Sequence, residues 1–164
     1  MRSTSRVIGL CGGRGLRARQ RAAEVGLRVD VVWHDEDVFI IRVSVWNGQF
    51  GGTAETYVAI GDLNEMAKKL SGFPRSPADA REIVVGSFGR EFAGGAASMR
   101  FYCADSAGHA YVEVKIESEF ESAGVVQYVI ISMPIEAAAV DLFVGDLSRL
   151  ETERSGTAML LGRG

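Results

Sequence analysis

From Leu27 onward, apolar and polar positions alternate with the two-residue period of half-buried β-strands. Leu27, Val29, Val31 and Trp33 share one face, and Arg28, Asp30, Val32 and His34 the other. Asp35-Glu36-Asp37 reads as a turn. A β-branched run then sets Phe39, Ile41, Val43 and Val45 against Val38, Ile40, Arg42, Ser44 and Trp46. Asn47-Gly48 is a hairpin signal, and Phe50-Gly51-Gly52 leads into a third strand over Ala54–Ile60. Short strands joined by tight turns predict an antiparallel meander.

The period then changes. Asp62 followed by Glu65 has the spacing of a capping box. Leu63, Met66, Ala67 and Leu70 lie on one helical face, with Gly72 and Pro74 past the end. Ile83–Phe88 is a short apolar strand, and Val125–Ser132 is strongly β-branched. Between them, Ser98–Ala104 and Ala110–Glu117 flank the turn Asp105-Ser106-Ala107-Gly108. Pro134 is placed to open a final helix over Ile135–Leu150, since proline suits the first helical position. Val140, Leu142, Phe143, Leu147 and Leu150 form the apolar stripe of that helix. The order βββ–α–ββββ–α predicts an α+β fold, a largely antiparallel sheet with two helices packed on it.

Charge divides the chain. Residues 1–28 carry seven arginines against one acid, Glu24, whereas the rest holds 11 Lys+Arg against 20 Asp+Glu, a net charge of −9. Residues 1–26 therefore read as a basic, disordered arm, residues 27–151 as a single domain and residues 152–164 as a loose tail. An acidic body attracts cationic partners and repels nucleic acid, because counterion release on DNA needs Lys and Arg. Two cysteines, Cys11 and Cys103, suit a reducing compartment. No apolar run approaches the ~20 residues of a membrane helix. A cytoplasmic protein without membrane association is expected.

Candidate chemistry is sparse. His34 beside Asp35-Glu36-Asp37 is a conceivable cation site, yet consecutive residues point in alternating directions and fit a solvated turn better. Cys103, His109 and Asp105 share one hairpin and would supply a nucleophile, a base and an orienting acid. A free Cys in an apolar strand more often behaves as a small buried hydrophobe. Gly12-Gly13-Arg14-Gly15 lacks the Lys-Ser/Thr of a phosphate loop. Trp33, Trp46, Phe50, Tyr57, Phe101, Tyr102 and Tyr111 are numerous enough for a base-stacking platform, but acids surround them and core packing is the better expectation. No catalytic residue, metal or cofactor is expected. The acids concentrate in two sets, Asp35, Glu36 and Asp37, then Glu113, Glu117, Glu119 and Glu121. Together they are the expected contact surface for a basic protein partner.

One succession of local patterns is familiar: Phe50-Gly51-Gly52 leading to Tyr57-Val58, then Asp62-Leu63 opening a helix that ends Gly72-Phe73-Pro74. An aromatic strand ending at Asp105 and Gly108-His109 follows, then Val129-Ile130-Ile131 and a helix with Leu142-Phe143, Leu147 and Leu150. Over Val29–Leu150 this resembles a bacterial family of uncharacterised small α+β proteins similar to the immunity proteins of polymorphic contact-dependent toxins. The resemblance implies a cytoplasmic, non-enzymatic protein that binds and blocks a toxin domain. It carries no binding residue across. The alternatives are a structural or ligand-binding module, or a small enzyme using Cys103 or His109.

Overall fold

The computed structural model describes residues 24–89, 91–92, 94–119 and 125–163; the basic arm up to residue 23 and Glu121 lie outside them. Three strands come first: β1 (Gly26–His34), β2 (Val38–Trp46) and β3 (Gly51–Ala59). Helix α1 (Asp62–Leu70) follows, then β4 (Ala80–Val85), β5 (Ala96–Cys103), β6 (Ala110–Glu117) and β7 (Tyr128–Ile135). Helix α2 (Ala137–Glu153) and strand β8 (Thr157–Leu161) close the fold. The fold is α+β, with every strand pair antiparallel. The strands are divided between two four-stranded sheets, ordered β3-β2-β1-β8 and β4-β5-β6-β7. No helix among the described residues is long and apolar enough to cross a membrane.

Each sheet turns its alternate residues inward. Leu27, Val29, Phe39, Ile41 and Val43 from the first sheet join Met99, Phe101, Val112 and Val114 from the second in one continuous core. Helix α1 adds Leu63, Met66, Ala67 and Leu70, and α2 adds Val140, Phe143, Leu147 and Leu150. The sequence-based stripe is corrected at one position: Leu142 is exposed, because it falls off the i, i+3, i+7 face that meets the core. Each helix connects one sheet to the other.

Two glycines let β3 cross the end of the second sheet. A side chain at Gly95 would meet the Ala54 Cβ and the Glu117 carbonyl oxygen, each at 2.7 Å. Gly86, at φ 71°, would meet Thr56 Oγ1 and the Gly95 carbonyl. Arg81 ties α1 to β4. It donates to the carbonyls of Lys69 (3.0 Å) and Ser71 (2.9 Å), orphaned at the end of the helix, and pairs with Asp79 at 2.6 Å.

Four further sequence expectations are corrected. Residues 152–164 are not a loose tail: α2 runs on to Glu153, and Thr157–Leu161 pairs with β1, burying Ala158 and Leu160 completely. Two buried residues are too brief a pattern to announce a strand. Pro134 lies in β7 opposite Tyr111 rather than opening α2. Strand β7 is at the edge of its sheet, where a missing N–H costs no ladder bond. Gly61, at φ 101°, is the N-cap of α1, while Asp62 accepts the Ala59 N–H and Glu65 pairs with Lys68, so the capping box does not form.

The fourth correction concerns Trp33. A bulge shifts the β1–β2 register between Val31, opposite Ile41, and Trp33, opposite Ile40. Val32 and Trp33 are consecutive and both exposed, at 43% and 50%. One extra residue in a strand reverses the facing of everything beyond it. Trp33 therefore leaves the inward series of Leu27 and Val29.

Candidate partner-binding surface

The turn between β1 and β2 is built by Asp35. Its Oδ1 accepts the backbone N–H groups of Asp37 (2.9 Å) and Val38 (2.8 Å). These bonds, the one from Asp37 foremost, hold the Asp35 carboxyl below the usual carboxylate range. Glu36 and Asp37 occupy the exposed tip, and among the described residues neither forms an ion pair.

Hydrogen bonds join this turn to the residue leading into α1 and to the one that caps α2. The Ile60 N–H donates to the Asp37 carbonyl (3.1 Å), and Arg154 donates to the Asp35 carbonyl (3.3 Å). Glu151 of α2 accepts the Gly61 N–H at 2.8 Å, on the threshold of α1. One end of the domain thus gathers Asp35, Glu36, Asp37, Asp62, Glu65, Glu151 and Glu153, with Arg154, Lys68 and Lys69 as cations there, and Lys68 is already paired with Glu65. Sequence reasoning found the first three of these acids. Asp62, Glu65, Glu151 and Glu153 join them only through the docking of two helix ends.

The other acidic set lies elsewhere, on the outer face of the second sheet. There the strands align Glu82, Arg100, Glu113 and Ser132 in one row, and Val84, Ser98, Lys115 and Ile130 in the next. Glu113 faces Arg100 across the strands, and Glu117 accepts the Gly89 N–H at 2.8 Å. Lys115 sits 4.4 Å over the Phe88 ring, and Arg100 5.3 Å over Tyr102. Glu119 is exposed beyond the strand end, and Glu121 lies outside the described residues. The structure therefore does not bring the two predicted sets onto one face.

The aromatic residues also depart from expectation. Of the seven, Phe101 is fully buried, while Trp33, Phe50 and Tyr57 are exposed and Trp46, Tyr102 and Tyr111 half-buried. Each sheet has one solvated face, and most of these rings alternate onto it. Trp33, Ile40 and Tyr57 form a row across β1, β2 and β3 on the outer face of the first sheet. Beside it runs a belt of charges that satisfy one another: Arg42 with Glu55, and Arg28 with Asp30, which also accepts from Thr157. The signal for the exposed Trp33 was present in the sequence: Val31-Val32-Trp33 breaks the alternation with three apolar residues in succession.

The hairpin chemistry is partial. His109 Nδ1 lies 2.5 Å from Asp105 Oδ2, which helps hold the Asp105 carboxyl below its ordinary range. Cys103 instead directs Sγ to the Ser76 carbonyl at 3.8 Å. Burial, then the charges of Asp79 and Asp105, push its thiol up, away from the thiolate a nucleophile needs. His34 packs edge-on to Phe39, with ring centres 6.2 Å apart.

Family models, curated proteins and solved structures were compared with this chain, and none matches.

Proposed function

We propose that the protein is a non-enzymatic binding domain that captures a basic protein partner on its acidic end and blocks it by occlusion. The immunity-type role implied by the sequence resemblance, with a cationic toxin domain as the target, is the form this takes. The observation that supports it is the convergence of the β1–β2 turn with the ends of α1 and α2, which concentrates unneutralised carboxylates around Glu36 and Asp37. Such a concentration steers a cationic partner and raises the association rate by ~10–10³-fold at low salt. It falls away as salt screens the exposed charges.

The test replaces Glu36 and Asp37 by Lys, and Asp35 by Asn, which keeps a side-chain acceptor for the turn. Association with a basic toxin domain should slow about tenfold or more at low salt and lose most of its salt dependence. An unchanged rate and salt slope would remove the acidic end from the mechanism.

A further inference from the structure

The acidic end explains attraction, and attraction alone does not hold a partner: exposed charge pairs are worth little once formed. Affinity at interfaces concentrates in a few aromatic anchors surrounded by polar groups. The row Trp33–Ile40–Tyr57 has that character. Trp33 and Tyr57 are 50% and 54% exposed, Ile40 is half-buried between them, and the exposed Val32 adjoins. The row owes its facing to the β1 bulge, a device that re-aims side chains at functional places.

We propose that this row is the anchor of the partner interface and receives an arginine-bearing, apolar segment of the basic partner. The inference rests on the reading of the acidic end as the docking site. Charge complementarity selects the occupant. Trp33 stands two residues before the turn whose tip carries Glu36 and Asp37, so one side of the row is acidic. On the other side the Arg42–Glu55 and Arg28–Asp30 pairs are internally neutral and offer a cation nothing further. A guanidinium lies flat on an indole or phenol ring while its N–H groups reach a carboxylate, whereas a lysine ammonium makes a weaker, less directional version of both contacts. Leucine-like side chains between the arginines cover Ile40 and Val32.

The experiment uses the full chain carrying Trp46→Phe, so that fluorescence reports Trp33 alone, with two short synthetic peptides, one alternating arginine and leucine and the other lysine and leucine. The arginine peptide should shift Trp33 emission and bind about threefold to tenfold more tightly than the lysine peptide. In the background with Trp46 intact, Trp33→Ala should weaken arginine-peptide binding about tenfold, measured by calorimetry, and erase the difference between peptides, while Trp33→Phe keeps part of it. Equal binding of both peptides, indifferent to Trp33→Ala yet lost with Glu36→Lys/Asp37→Lys, would overturn the anchor and leave the acidic reading standing. Peptide binding indifferent to the charge reversals, or no binding at low salt, would overturn both. Self-association abolished by Trp33→Ala, without peptide binding, would assign the row to a second copy and overturn the proposal.

Discussion

The two sheets present similar materials on their outer faces and organise them differently. Both carry exposed aromatic and aliphatic side chains: Trp33 and Tyr57 on the first, Tyr128 and Ile130 on the second. Both belong to regions that the sequence marks as acidic. On the second sheet, however, Arg100 and Lys115 stand in the same rows as the acids or in adjoining ones, so the face is a mosaic of both signs. On the first, Arg42 and Arg28 are consumed by Glu55 and Asp30, and the acids of the turn stand beyond them with Arg154, bonded to the Asp35 carbonyl, as the cation alongside. A count of carboxylates along a strand is therefore a poor guide to potential. What matters is which cations the neighbouring strands bring alongside.

Three measurements would break or sharpen this contrast. The largest effect concerns what the sheets share. Phe143→Ala, at a fully buried ring in the common core, should cost about 3–5 kcal/mol of stability. Hydrogen exchange in β2 and β6 should accelerate together; acceleration confined to one sheet would make them separate cooperative units with separately evolving faces.

Acid titration comes next. Arg81, by hydrogen bond, holds the Asp79 carboxyl below its ordinary range, with the Arg75 N–H assisting. A depressed folded value means that the contribution is complete above the unfolded value of about 4 and is lost as pH falls through the folded one. Melting temperature should therefore fall on acidification below about pH 4. Asp79→Asn should flatten that fall, and a profile identical to that of the parent protein would show that the pair contributes nothing. Asp35→Asn should flatten it less, since Asp35 is stabilised by its own turn and stands in solvent.

The smallest effect is the most discriminating for the faces. Reversing Glu113 and Glu117 to Lys should change the association rate with a basic partner within about twofold, against tenfold or more for the turn. Equal losses from both sets would mean that the partner spans both sheets.

Much of the fold was legible because it rests on local periodicity. The alternation of Phe39, Ile41, Val43 and Val45, the Asn47-Gly48 turn and the spacing of Leu63, Met66, Ala67 and Leu70 all specify their elements without long-range information. Of the candidate surface, the turn acids were legible for the same reason. The facing of Trp33, the strand at Thr157–Leu161 and the position of Pro134 were not, since each depends on a partner distant in sequence.

By itself, then, the amino-acid sequence determined the element types, the inward faces of most strands and the separation of a basic arm from an acidic body. Only the tertiary structure decided that the strands split into two sheets, with β3 crossing the second over Gly86 and Gly95. It also decided which acids stay unneutralised and that Trp33 faces water. The physical reason is range. Strand and helix periods are set by backbone geometry within a few residues. Net potential and the facing beyond a bulge are set by which side chains and strands meet across the fold.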